Sequence, residues 1–305
     1  MNTTDNYNKV SELASKHLGK VGGEGYKDQY DPTLLVKIPR KLNRTAYGID
    51  DKRLPFIGFD VWNAYEVSAL TNNGLPVSGM LKIVYPADSK HHVESKSLKL
   101  YLNSFNMSKM GYNFFNVVEN IENTVARDLC TLLETKVQVT MFVDNNNREE
   151  QSIEELFADL STLTDLEQIK FDTFTSDESI LKYKNISNTE RYSLKSNLLR
   201  SNCRVTNQPD WGDIFIDMVT DKVPDYGSIA EYIVSHRKVN HFHEEVTEMV
   251  FQHFMKVYEP QELMIACLYT RRGGIDLNPV RSTFPSLIPH VLRTSEIRLS
   301  KTLRQ

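Results

Sequence analysis

At 305 residues, with 40% hydrophobic and 25% charged residues, the chain has the length and balance of a folded protein of one large domain or two ordinary ones. A net charge of −4 argues against a general polyanion binder, so direct nucleic-acid contact is not expected, although a small basic pocket remains open. There is no apolar run of about 18 residues to cross a membrane, and MNTTDNYNKVSELASKHLGK lacks the apolar core of a secretion signal. Cys130, Cys203 and Cys267 lie too far apart for a disulfide framework or a four-thiolate zinc site, so a reduced, cytoplasmic protein is expected.

Residues 1–60 are rich in turn signals, at YDPTLL, KIPRKLNR and KRLPF. WNAYEVSAL and VSGMLKIVYPAD predict two strands, the second carrying Met80, Leu81, Ile83 and Val84 before a break at Pro86. FFNVVENIENTVARDLCTLLE sets Val118, Ile121, Val125, Leu129 and Leu132 at helical spacing, and KVQVTMFV alternates Val137, Val139, Met141 and Val143 as a half-buried strand. From 144 to 190 the chain turns polar and acidic, with ELFADLSTL adding at most a short helix, and reads as a connection. The second half repeats the order of the first. WGDIFIDMV predicts a strand, FHEEVTEMVFQHFMKVY a helix with Val246, Met249, Val250 and Phe254 on one face, and ELMIACLYT a second strand. Laying ESKSLKLYLNSF (94–105) over DYGSIAEYIVSH (225–236) matches Ser97 with Ser228, Tyr101 with Tyr232 and Ser104 with Ser235. An internal duplication follows, with units over 1–150 and 191–305 joined by 151–190.

The residues that carry chemistry each have a plainer reading beside the functional one. Cys130 and Cys267 fall on packed phases of a helix and a strand and read as packing residues. Cys203, in RSNCRVTNQPDWGD, has polar neighbours and a turn after it, so it is either a small core residue or a nucleophile. A nucleophilic thiol needs help to ionise below its usual pKa of about 8.5. Arg204 or a nearby histidine would supply that help, and Asp210 would hold the proton. In HFHEE, His241 and His243 do not share a helix face, so no zinc site is expected. Glu244 is either an acceptor for ligand N–H groups, with His243 as a neighbouring donor, or a helix-start carboxylate favoured by the dipole. His91 and His92 read as solvated loop residues. Lys96 and Lys99, with Ser95 and Ser97, form either a wet helix face or a phosphate grip. Arg271 and Arg272 before Gly273 and Gly274 mark either an anion site or an ordinary turn. GGEGYKD (22–28) has no dinucleotide-binding spacing.

Taken together and in order, ESKSLKLYLNSFN, SNCRVTNQPDWGD, FHEE and TRRGGIDLNPVRS resemble the signatures of the NADPH-dependent 7-cyano-7-deazaguanine reductases, the nitrile reductases of queuosine biosynthesis. YDPTLLVKIPRKLNR and LPFIGFDVWNAYEVSAL extend the resemblance towards the N-terminus; it is weakest over 144–190. The resemblance implies an α+β chain of tandem tunnelling-fold units, antiparallel sheets with helices packed on one face, of the long two-unit type that forms homodimers. It implies that Cys203 attacks the nitrile to give a thioimide and that Asp210 donates a proton to its nitrogen. Val93, Glu94, Ser95, His243 and Glu244 would hold the deazapurine, while Ser95, Lys96, Arg272 and Gly273 would contact NADPH, with no metal. Val239 stands where a histidine is frequent in the family, and LNP replaces the frequent Ile-Asn-Pro; neither is assigned a role.

Three rivals stay open on sequence. An amidinotransferase relative acts on the same nitrile with the same cysteine and aspartate but lacks the ESKSLK motif. A zinc-dependent cyclohydrolase needs metal ligands that do not assemble here. A non-catalytic purine-binding protein would leave Cys203 inert.

Overall fold

The computed structural model describes residues 27–143 and 149–305. The first twenty residues, read for a secretion signal, most of the 22–28 glycine stretch and the asparagine-rich beginning of the polar connection lie outside these residues. In the first half, β1 (Ile57–Thr71) and β2 (Pro76–Pro86) form a long hairpin. A short strand, His91–Val93, pairs with Lys37–Pro39 and leads into α1 (Ser95–Asn103), α2 (Phe114–Leu133) and β3 (Gln138–Phe142). The second half runs β4 (Tyr183–Ser196), β5 (Arg200–Cys203), β6 (Pro209–Pro224), α3 (Tyr226–Ser235), α4 (His243–Tyr258), β7 (Glu262–Tyr269) and β8 (Ile275–Ser282). β4 and β5 lie along one edge of β6, and the order continues β7, β8, β1, β2, β3 with every pairing antiparallel. The α+β class read from the sequence is the one the chain adopts.

The two halves join edge to edge. β8 pairs with β1 from Ile275 opposite Ala64 to Ser282 opposite Ile57, so a single sheet crosses the junction. Both helix pairs pack on the same side of their strands. Leu98, Ile121, Val125 and Leu129 cover Trp62, Leu81 and Ile83 in the first half, while Ile229, Val250 and Phe254 cover Ile214, Ile216 and Ile265 in the second. The other face is closed at its centre by Phe157, Ile288, Val291 and Leu292 against Val61, Phe215 and Val280. Burial on both faces explains why β8 carries no exposed residue. No helix among the described residues is long and apolar enough to cross a membrane.

Two expectations need correction. The buried column of α2 is Val117, Ile121, Val125, Leu129 and Leu133; Val118 and Leu132 sit one step off it and are half-buried. The end of the polar connection, from Tyr183, is the start of β4, whose first nine residues are exposed apart from half-buried Ile186; only Tyr192 to Ser196 alternate. A strand wet on both faces leaves no period-2 signal to read.

The duplication shows in the hydrogen bonds as well as in the element order. Glu94 and Asp225 cap α1 and α3, accepting from the N–H groups of Ser97 (2.7 Å) and Ser228 (2.8 Å). Those two serine hydroxyls donate back to the Glu94 and Asp225 carbonyls and accept from the backbone of Val36 and Lys182. Ser104 and Ser235 each donate to a tyrosine carbonyl, and the hydroxyls of Tyr101 and Tyr232 reach Asp128 and His253 on the following helices. All three residue pairs matched in sequence therefore do the same work.

A buried ionic network binds the halves. Arg281 on β8 meets Asp60 at 2.9 Å and Glu248 of α4 at 2.9 Å; Arg44 holds Glu248 at 2.8 Å, and Arg40 closes on Asp60. None of the five is more than 5% exposed, so each charge depends on its partners for solvation. Burial works against the Glu248 charge, but Arg281, Arg44 and Arg40 bring its pKa below the usual carboxylate range.

Candidate active site

A cavity of about 290 Å³ opens where pieces of both halves meet. Val93, Glu94, Ser95 and Lys96 reach it from the end of a short strand and the start of α1. Cys203 and Asp210 come from the β5–β6 hairpin, His243 and Glu244 from the first turn of α4, and Arg272 and Gly273 from the β7–β8 turn. Every residue that the resemblance assigned to the site thus lines one cavity, whereas Ser97, Arg204, Arg271 and Gly274 do not, and two helix N-termini open onto it. Such ends favour anionic ligand groups.

The hairpin explains the thiol. The Cys203 N–H donates to the Gln208 carbonyl (2.8 Å) and the Asn207 N–H to the Cys203 carbonyl (2.9 Å), with Asn207 in the left-handed region at φ 56°. This closed turn sets Thr206 beside Cys203 on the cavity wall, where hydrogen bonding from the Thr206 hydroxyl and the Val205 and Thr206 amides favours the thiolate. Burial pushes the thiol pKa up and the Asp210 charge adds to it, but these hydrogen bonds prevail and bring it below its ordinary value. Arg204 is not the activating cation. Its guanidinium is engaged by Glu245 (2.9 Å), which also takes Tyr47 and His241. Cys267, by contrast, is fully buried, and burial pushes its thiol up to about 12.

Asp210 is buried between Arg272 Nη1 at 2.8 Å and His243 Nε2 at 3.3 Å. Burial opposes its charge, but the hydrogen bonds and charges of His243 and Arg272 hold its pKa below the usual value. The His243 ring is itself fixed by stacking on Tyr269, with centroids 3.8 Å apart and planes 12° apart. Glu244 is only 4% exposed. His92 Nδ1 lies 3.0 Å from Glu244 Oε1 but outside good hydrogen-bond geometry, which leaves that oxygen without a hydrogen bond. Glu94 is differently placed, with its carboxylate used by the amides of Lys96 and Ser97.

The mouth of the cavity suits a phosphorylated cofactor. Lys96 and Lys99 line it and make no ion pair among the described residues. Gly273 (φ 61°) and Gly274 (φ 80°) turn the chain between β7 and β8, and a Cβ on Gly273 would lie 2.8 Å from Lys99 Nζ. The glycine therefore lets the lysine lie across the turn. Arg272, expected at the cofactor, is largely committed to Asp210, Thr206 and Gln208. Among the described residues no group of three or more His, Cys, Asp or Glu is placed to hold a metal ion.

His92 is the clearest miss. It is 2% exposed, because its strand pairs with Lys37–Pro39, and the only signal was its place two residues before Glu94. Thr206, three residues after Cys203, was overlooked as well, although a polar residue at that offset in a tight turn curls back on the first side chain.

Comparisons with known proteins give the family of the chain that builds this cavity. The family model described as "Nitrile reductase, 7-cyano-7-deazaguanine-reductase N-term" matches residues 26–141, and one described as "QueF-like protein" matches 209–285. Asp210, His243, Glu244 and Arg272 fall inside the second match, and Cys203 falls just before it. A "NADPH-dependent 7-cyano-7-deazaguanine reductase" of Coxiella burnetii (strain CbuK_Q154) is 39% identical over 86% of this chain and 90% of its own length. A protein of the same name from Rickettsia massiliae (strain Mtu5) is 40% identical over 89% of this chain and 94% of its own. Among solved structures, the archaeosine synthase QueF-Like in the apo form matches with a TM-score of 0.28 and 15% identity, over 32% of this chain and 95% of that one, a likeness too remote to inform fold or chemistry. Identity of this extent along nearly the whole of both chains places this protein in the NADPH-dependent 7-cyano-7-deazaguanine reductase family.

Proposed function

We propose that this chain reduces the nitrile of 7-cyano-7-deazaguanine to the aminomethyl group, with two NADPH consumed per amine, and that it does so through a covalent bond to Cys203. One observation carries the reading. A thiol with a lowered pKa, an ionised carboxylate and a buried carboxylate short of hydrogen bonds share a single cavity.

Glu244 suits the adjacent N–H groups of a guanine-like edge, and the helix α4 start supports its charge. Its under-bonded oxygen gives the substrate something to satisfy. Cys203 Sγ forms a bond to the nitrile carbon while one C–N π pair moves to nitrogen, which takes up a proton. Arg272 and His243 keep Asp210 ionised beforehand, so Asp210 first accepts the thiol proton and then delivers it to that nitrogen. Bound NADPH supplies the two hydrides; Lys96 and Lys99 at the mouth would hold its phosphates. Between the two hydride deliveries the C–S bond breaks and the sulfur leaves as thiolate, into the same turn that stabilised it at the start. His243 stands ready to return a proton to Asp210 for the second reduction.

Incubation with the nitrile alone should add the mass of one substrate to the protein, and NADPH should then be oxidised at two equivalents per amine. Cys203→Ala should abolish both, and a variant that still reduces the nitrile overturns the mechanism. Asp210→Asn should slow adduct formation far more than it weakens binding. A homodimeric, cytoplasmic enzyme acting on the free base, without nucleic-acid contact, completes the reading. Light scattering that gives a monomeric mass at working concentration would remove the dimer from it.

A further inference from the structure

The turn that carries the thiol contains a second polar group with a fixed direction. Arg272 Nη2 lies 2.8 Å from Thr206 Oγ1. A guanidinium has donors only, so the threonine oxygen must accept there. The single hydroxyl proton is thereby left free to point elsewhere, and the turn closed between Cys203 and Gln208 sets Cys203 and Thr206 on the wall of one cavity. The same guanidinium bonds Gln208 Oε1, at the far end of the turn, and Asp210 Oδ1 at 2.8 Å. One arginine therefore fixes the polarity of the hydroxyl, the closure of the turn and the place of the carboxylate. No cation does this work directly, since Arg204 is held by Glu245 and Asn43.

We infer that Thr206 is a positioning residue for Cys203: oriented by Arg272, its hydroxyl donates to Sγ and, together with the Val205 and Thr206 amides, holds the sulfur as an anion. This rests on Cys203 being the nucleophile. It matters twice in the reaction, once when the thiol loses its proton to Asp210 and again when the C–S bond breaks and the pair of electrons returns to sulfur. A threonine confined to shaping the turn would serve neither step.

The test is the pH profile of Cys203 alkylation by iodoacetamide, followed by peptide mass spectrometry so that Cys130 and Cys267 are scored separately. Thr206→Val keeps the shape and removes the hydroxyl. Its midpoint should move up by about one pH unit, with alkylation near neutral pH about tenfold slower, the size expected for loss of one hydrogen bond to a charged group. Thr206→Ser should restore the native profile to within about twofold, which a purely steric role would not predict. Should the valine variant fail to fold, Thr206→Ala must show the same upward shift. A removal variant that folds, forms the nitrile adduct and titrates like the native thiol overturns the inference. Nitrile reduction by Cys203→Ala would instead overturn the nucleophile reading beneath it, so the two failures are distinct.

Discussion

Replacing Glu244 by glutamine tests substrate recognition with little disturbance to the fold. The side chain keeps its shape, but one of its two acceptor oxygens becomes an NH2 group. Against a guanine-like edge that offers adjacent N–H donors, one hydrogen bond to a charged acceptor is lost, worth about 1.5–3 kcal/mol. The substrate N–H it served is left facing a donor in a buried site, a further penalty of about 1–3 kcal/mol. Taking a middle sum of about 3–5 kcal/mol, the affinity should fall roughly a hundred- to a few-thousand-fold. Stability should barely move. Glu244 makes no well-formed hydrogen bond at Oε1, so its structural contribution is chiefly its place in the first turn of α4, worth about 0.3–1 kcal/mol. At that size Tm shifts by no more than about 4 °C. Calorimetric titration of the nitrile into Cys203→Ala, with and without Glu244→Gln, measures the difference free of the covalent step. An affinity within about fivefold of the parent, in a protein of unchanged Tm, would refute Glu244 as the group that reads the base.

Glu248→Gln should do the opposite. It strips the shared carboxylate from Arg44 and Arg281 in a buried network and should cost about 3–5 kcal/mol in denaturant unfolding, with any loss of activity following the loss of fold. His236 gives a pH signature. Burial pushes its pKa down from 6.5 to about 4, and its Nε2 has no hydrogen bond. A depressed folded pKa means stability that is complete above 6.5 and lost as pH falls towards 4, on the order of 3 kcal/mol. His236→Gln should flatten thermal stability against pH across that window, and an unchanged slope would count against it. At the cavity mouth, Lys96→Ala and Lys99→Ala should each raise the KM for NADPH several-fold with little change in kcat, the effect shrinking as salt is raised. A fall in kcat alone would place these lysines elsewhere in the reaction.

What could be read from the sequence was what is local. The spacing in α2, the alternation through Val137 and Met141 and the pairing of Ser97, Tyr101 and Ser104 with their second-half counterparts are short-range patterns, and the structure keeps them with a one-step shift in α2. The resemblance carried the site residues, because distant motifs meet through the β8–β1 junction and the buried ionic network, which no local pattern encodes. His92 was lost for the same reason, since its burial depends on a strand at Lys37–Pro39 and on α4 of the other half. Arg204 failed for a reason that was available beforehand. Cys203 ends a strand, and neighbours along a strand project to opposite faces, so the adjacent arginine was badly placed to serve the sulfur. In a turn that closes between residues 203 and 208, a side chain three positions on returns to the first. The position to suspect was therefore 206, where the structure puts a hydroxyl whose direction is set by Arg272.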